Sequence, residues 1–359
     1  MLLHPRMTVK AESSPVGKRD PGRLIACGVI ALLAAIVGCG SDSSAPNAAP
    51  IGSTKATGAT YGGSYPIKIV ATTGMVTDIV QEIAGEHAEV TGLIGATVDP
   101  HLHSPSRNDV KALFAADLVF YSGLMLEGRM GDAFVSVGRS GKPVFAVTEG
   151  IDEKYLLEPP SFAGHWDPHV WMDVSAWSQC VEYVTNVLAD YDPSHAESYR
   201  ARCVAYREEL RRLDEYVRQV IASIPESQRV LVTAHDAFEY FSRAYDIEIR
   251  SVQGLSTESE AGVDDVNRLV DFIAERKLKA IFVESSVPPK NIQAVVEGVR
   301  QQGVEIVIGG ELYSDAMGLA GTYEGTYIGM IDHNATTIAR ALGGESPAGG
   351  FKGKLKSAK

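Results

Sequence analysis

The chain has 359 residues, of which 45% are apolar and 22% charged, and its formal net charge is −12. That length is long for one core and suits two lobes of ordinary domain size. The acidic balance speaks against nucleic acid as a partner, because holding phosphates takes a basic face.

The N-terminus reads as a targeting segment. Arg19 and Arg23 precede an apolar run from Leu24 to Val37 that is shorter than a membrane-spanning helix and ends in small residues. Residues 1–38 are therefore expected to be a signal peptide. Ile36-Val37-Gly38-Cys39 reads as a bacterial lipobox, in which cleavage precedes the cysteine and Cys39 takes the lipid. Two or more acyl chains anchor a protein stably, so the mature chain is expected outside the cytoplasm, on the membrane, in the periplasm or at the cell surface. Cleavage removes five positive and two negative charges, taking the net charge from −12 to −15. Residues 39–65 are rich in Ser, Ala, Gly, Pro and Thr and read as a flexible tether.

Pattern begins at Pro66. Strands are expected at 67–71, 88–94, 118–121 and 144–147, and helices at 75–84 and 108–115. Short apolar strands alternating with helices predict an α/β lobe over 66–193, with a parallel sheet covered on both faces. The middle is different. A helix over 174–190 stops at Pro193, and Ser194 is placed to cap a second, running from about His195 to Ile224. Tyr199, Cys203, Tyr206, Leu210, Leu213, Val217, Val220 and Ile224 recur in steps of three and four, and the other face is rich in Glu and Arg. Such a helix is about 45 Å long at 1.5 Å per residue, which predicts a rigid strut over 194–225 joining two lobes. Alternation then resumes over a second α/β lobe, 226–343. Its strands are expected at 230–233, 247–252, 280–283 and 305–308, with helices at 238–245, 263–277, 291–302 and 328–342. Residues 344–359, rich in Gly, Ser and Lys, read as a disordered tail. Once the leader is gone and Cys39 is acylated, Cys180 and Cys203 remain. They lie in consecutive helical segments, which leaves open both a disulfide and two buried thiols.

Four segments carry potential ligands in turn-rich loops. They are Asp99-Pro100-His101-Leu102-His103, Asp167-Pro168-His169-Val170-Trp171, Thr233-Ala234-His235-Asp236 and Glu311-Leu312-Tyr313-Ser314-Asp315. Open α/β sheets bind ligands at the carboxyl ends of their strands, and His235 directly follows one. Three imidazoles and a carboxylate suit Zn²⁺ and tolerate Mn²⁺ or Fe²⁺. A lone histidine is more often surface or satisfied core than ligand, but two Asp-Pro-His tripeptides in one chain are more suggestive. Proline before histidine restricts how the imidazole is presented. His103 points away from His101 in an extended segment, which favours a supporting or surface place. Asp236 and Glu284 are candidates to orient a ligating imidazole through its other nitrogen. His165 reads as a loop residue, and His87, His195 and His333 as exposed.

Leu231-Val-Thr-Ala-His-Asp-Ala-Phe-Glu-Tyr-Phe-Ser-Arg-Ala-Tyr245 and Gly309-Gly-Glu-Leu-Tyr-Ser-Asp-Ala-Met-Gly318 are long, specific patterns. With them, the chain over about 66–343 resembles the solute-binding lipoproteins of metal-importing ABC transporters, the cluster A-I or TroA-like family. The resemblance implies that His101 and His169 from the first lobe and His235 and Asp315 from the second hold one metal between the lobes. Manganese-specific members usually carry Glu where this chain has His235, and zinc-specific members often carry a His-rich loop, whereas residues 150–166 hold only His165. A nitrogen-rich site favours zinc by the Irving–Williams order, so zinc is the expected cargo, with manganese or iron as the alternative. The resemblance also implies a membrane permease and its ATPase as partners and a monomer that is not an enzyme. Two other readings are weaker. A zinc hydrolase needs an open coordination position, which a fourth protein ligand closes, and no Gly-x-Ser-x-Gly pattern is present. Surface adhesion, known in relatives, is encoded by nothing visible in this chain.

Overall fold

The computed structural model describes residues 60–356. The expected signal peptide, the lipid site Cys39 and the tether as far as residue 59 lie outside the described residues.

The first lobe is built on four parallel strands in the order β2-β1-β3-β4. In chain order its elements are β1 (Ile67–Ala71), α1 (Gly74–Ala84), β2 (Ala88–Gly92), α2 (Arg107–Ala115), β3 (Leu118–Tyr121), α3 (Gly131–Arg139) and β4 (Val144–Ala146). Side chains alternate across a strand, and in the central strands β1 and β3 both faces are buried. Ile67, Ile69 and Ala71 of β1 and Leu118 and Phe120 of β3 join the central core. Val70, Val119 and Tyr121 face outward, under Leu113 of α2 and Phe134 and Val137 of α3. The Thr73 hydroxyl caps α1 by accepting from Val76 N, and the helix lays Met75, Val76, Ile79, Val80 and Ile83 on the inner face. Helix α3 went unseen in the sequence because only Phe134 and Val137 of its nine residues are buried, too few to set a period.

Two helices follow, α4 (Val174–Tyr191) and α5 (Ala196–Ala222). Helix α5 keeps the expected buried stripe and is about 40 Å long at 1.5 Å per residue. Its start differs from expectation. Pro193–His195 form a 3₁₀ turn, and Ser194 is not the cap. Buried Asp192 organises the corner instead, accepting from Tyr65 and Tyr199 hydroxyls at 2.7 Å and sitting 2.7 Å from His195 Nδ1.

The second lobe holds β5 (Val230–Thr233), α6 (Glu239–Tyr245), β6 (Glu248–Ser251), α7 (Val263–Arg276), β7 (Ala280–Glu284), α8 (Lys290–Gln301), β8 (Val307–Leu312) and α9 (Tyr327–Ala341). Its parallel strands make two hydrogen-bonded pairs, β5-β6 and β7-β8, with β5 beside β7. Leu231 and Phe282 face the central core, while Val230, Val232 and Ile281 face α7 and α8. Strand β8 runs later than the expected 305–308. It continues through Gly309 and Gly310, and a bulge opposite Ile281 and Phe282 absorbs the extra residue. Gly310 has φ of 151°, which a side chain rarely adopts, and a Cβ there would strike Thr337.

One apolar core runs from β1 and β3 through α1, α4 and α5 to β5, α6 and α9. The strut is therefore embedded, and the two lobes share their floor. Three expectations are corrected. The tail is ordered to residue 356, because Asp332 of α9 accepts from Phe351 N at 2.8 Å and Leu355 is buried. Its polar composition hid these backbone-mediated contacts. Cys180 and Cys203 are both free and buried, so the disulfide reading falls; burial in an apolar core pushes the Cys180 thiol up. Packing also begins before Pro66, with Tyr61 N donating to Tyr191 O at 2.6 Å.

Candidate metal centre

The two Asp-Pro-His tripeptides fold alike. Asp99 Oδ1 accepts from His101 N at 2.8 Å, and Asp167 Oδ1 accepts from His169 N at 2.9 Å. Each is a local turn in which the aspartate side chain catches its own backbone two residues on and fixes how the imidazole leaves the chain. Beyond His169, Asp173 caps α4, so the loop is pinned at both ends. The second lobe braces the same loop: Tyr240 donates to Asp167 O at 2.9 Å, Trp171 Nε1 to Ser314 O at 2.9 Å, and Tyr327 to Trp171 O at 2.7 Å. His235 follows β5 directly. Glu284, at the end of neighbouring β7, accepts from the backbone N–H groups of Ala234 and His235 at 2.7 and 2.9 Å. Asp315 lies just beyond β8, in a loop bonded to Trp171 through Ser314.

These segments bring His101, His169, His235 and Asp315 together, with one donor atom from each within 4.8 Å of the others. His101 Nε2 is 3.3 Å from His169 Nε2, which is 3.3 Å from Asp315 Oδ1. His235 Nε2 lies 3.1 Å from Asp315 Oδ2, and His101 Nε2 lies 3.9 Å from that same oxygen. All four residues are buried, His101 least so at 7% exposure. Beyond these ion-pair contacts with one another, His235 Nε2 and both Asp315 oxygens are buried without a hydrogen-bond partner. Buried polar atoms left so cost roughly 1–3 kcal/mol each, and a shared cation at their common centre would satisfy all of them.

The outward ring nitrogens divide the histidines. His235 Nδ1 is 2.5 Å from Glu284 Oε2, and His169 Nδ1 is 2.8 Å from Asp167 Oδ1. Glu284 therefore stands where a supporting carboxylate was expected. Asp167 was missed in that role, although the tripeptide containing it carried the signal. Asp236 makes no contact with an imidazole among those described; burial lifts its carboxyl to about 6. His103 faces Asp109 at 3.5 Å, away from the cluster. Burial alone would lower His169, but Asp167 and Asp315 overcome it and hold the ring at about 9. His235 is raised well above the usual range because Glu284 and Asp315 outweigh its burial. His101 has only Asp315 to raise it, and burial outweighs that and takes it down to about 4. Burial opposes the Asp315 charge, but His235 and His169 hold its carboxyl well below the usual range.

Residues 69–341 match the family model described as zinc-uptake complex component A, periplasmic. The chain belongs to this family. It is 44% identical over 308 residues to the manganese-binding lipoprotein MntA of Bacillus subtilis, covering 86% of this chain and 95% of the relative. It is 48% identical over 276 residues to the zinc-binding protein TroA of Treponema pallidum, covering 76% of this chain and 88% of the relative. The solved structure of the periplasmic zinc-binding TroA from Treponema pallidum superimposes with a TM-score of 0.74 at 47% identity, covering 77% of this chain and 99% of that one. The two-lobed α/β fold with its long helix is thus the fold of this family, whose members are metal-binding, substrate-binding proteins of ABC transporters and not enzymes. Among the described residues, no helix is long and apolar enough to cross a membrane.

Proposed function

We propose that this chain captures one divalent metal ion between its lobes and hands it to a membrane permease driven by an ATPase. The ligands are Nε2 of His101, His169 and His235 and the carboxylate of Asp315. The lobes are 66–193 and 226–343, joined by 194–225. The single observation that carries this reading is the convergence of four buried donors from both lobes, three atoms of which lack any other partner. Zinc is the proposed cargo. Zn–N and Zn–O bonds of about 2.0–2.1 Å put tetrahedral ligand atoms about 3.3 Å apart; His101 Nε2 and His169 Nε2 are 3.3 Å apart, and His235 Nε2 is 3.1 Å from Asp315 Oδ2. Three nitrogen donors also favour zinc over manganese at equilibrium. Manganese stands as the second reading because a relative sharing 44% of its residues is named as manganese-binding. The chain acts as a monomer held outside the cytoplasm through lipid on Cys39.

The test is calorimetry on the chain from residue 40 onward, stripped with chelator and titrated with Zn²⁺ and Mn²⁺ separately and in competition. One tight site per chain, weakened by both His235→Ala and Asp315→Ala, is the expected result. A site indifferent to both substitutions would sink the proposal, and manganese winning the competition would move the cargo to the second reading.

A further inference from the structure

The loop that carries His101 is tied to the opposite lobe at two points. Asp99 bridges them with one carboxylate, accepting His101 N on Oδ1 at 2.8 Å and the Thr257 hydroxyl on Oδ2 at 2.5 Å. Three residues further on, Arg129 donates from Nη1 to Leu102 O at 3.2 Å and from Nε to Glu258 at 3.1 Å. Thr257 and Glu258 belong to the second-lobe segment after β6. That segment is itself bonded to the backbone around His235: Gln253 N donates to Ala234 O at 2.9 Å, and Asp236 N to Gly254 O at 3.3 Å. Gln253 Nε2 closes the loop on Ser259 O at 3.1 Å, and Leu255 is buried beneath it. A continuous run of bonds therefore joins the backbone of one candidate ligand, His101, to that of another, His235, across the mouth of the cleft.

The two ties differ in strength. Arg129 and Glu258 are about half exposed, and ion pairs of that kind contribute little. The Thr257–Asp99 bond is partly buried and made to a charged acceptor, which makes it the stronger kind. It also acts where support is otherwise missing, since the His101 ring has no carboxylate behind it among the described residues.

We infer that Thr257 and Asp99 form a positioning pair for metal capture, in which a second-lobe hydroxyl holds the first-lobe ligand loop shut so that His101 completes the site. This rests on the metal-site reading above. With the tie in place the ion leaves only when the loop lifts, so the pair governs release more than encounter.

The full-length, zinc-loaded protein in detergent is mixed rapidly with excess chelator and the release rate is read. Losing a charged-acceptor bond in Thr257→Val should speed release roughly tenfold, with association unchanged within about twofold. Thr257→Ser, which keeps the hydroxyl, should release at the unsubstituted rate, and both variants should remain folded and melt cooperatively without metal. Release from Thr257→Val at the unsubstituted rate would overturn the inference, as would equal acceleration by Thr257→Ser. If His235→Ala and Asp315→Ala abolish binding while Thr257→Val changes nothing, only the positioning role fails. If those two substitutions leave zinc binding intact, the site itself is misassigned.

Discussion

His169 and His235 are each gripped from behind by a buried carboxylate, Asp167 at 2.8 Å and Glu284 at 2.5 Å, whereas the ring of His101 has none among the described residues. The first two sit on the shared floor of the lobes, where β5, β7 and the start of α4 converge on one core. His101 hangs from a rim loop that reaches the second lobe through Thr257. The same residue type is thus placed in two ways, by a preset carboxylate and by closure of a loop. On the proposed reading, the floor histidines supply basicity and fixed geometry, and the rim histidine supplies the step that encloses the ion.

Removing a floor imidazole should hurt most. His169→Ala or His235→Ala is expected to weaken zinc by more than about 100-fold in chelator competition, beyond what loss of a supporting group costs. His101→Ala should cost less, because three donors on the floor remain. An equal or larger loss in His101→Ala would break the comparison. Neutralising the carboxylates comes next. Glu284→Gln and Asp167→Asn should each lower affinity about 10- to 100-fold, the usual range when a ligating histidine loses its partner, whereas Asp99→Asn should act mainly on the release rate.

Proton linkage separates the two kinds of histidine further. His169 is held at about 9 and His235 well above the usual imidazole range, so both carry protons at neutral pH in the metal-free protein, while His101, at about 4, is already neutral. Zinc must displace about two protons near pH 7, and calorimetry in buffers of different ionisation enthalpy reads that number. Affinity therefore rises with pH through the neutral range towards about 9, where His169 titrates, and His101→Ala leaves the slope unchanged. The stability sign is opposite. A histidine raised from 6.5 to about 9 on folding stabilises the metal-free protein fully below 6.5, and that contribution is lost as pH climbs through 9. Metal-free melting temperature should fall over that window, and Asp167→Asn should flatten the fall. The smallest effect belongs to His103→Ala. Facing Asp109, two residues from a ligand, it should change affinity by less than about twofold, since surface changes away from a site rarely matter.

Much of this was legible in the sequence for physical reasons. Strands β1, β3 and β5 are dominated by buried apolar residues, and their expected bounds match the observed ones. Strand β8 was misplaced because three of its six residues are exposed, Val307 at 57%, and two glycines in the middle interrupt the apolar run. The four candidate ligands stood out because each pairs a donor residue with turn chemistry beside a strand end. Glu284 was visible as an acid ending a strand. The contacts of Asp167 and Thr257 were not, because they depend on which groups the fold brings opposite them. Asp167 is two residues from its imidazole, but Thr257 is 158 positions from Asp99, and no local pattern marks such a pair. The ordered tail was hidden likewise, since Phe351 is held by its backbone N–H and not by an apolar period.

The most direct test is a crystal of the zinc-loaded protein with diffraction collected on both sides of the zinc absorption edge. The account predicts one anomalous peak at about 2.0–2.1 Å from Nε2 of His101, His169 and His235 and from a carboxylate oxygen of Asp315. A peak elsewhere, or one at this place that lacks either lobe's ligands, would contradict it.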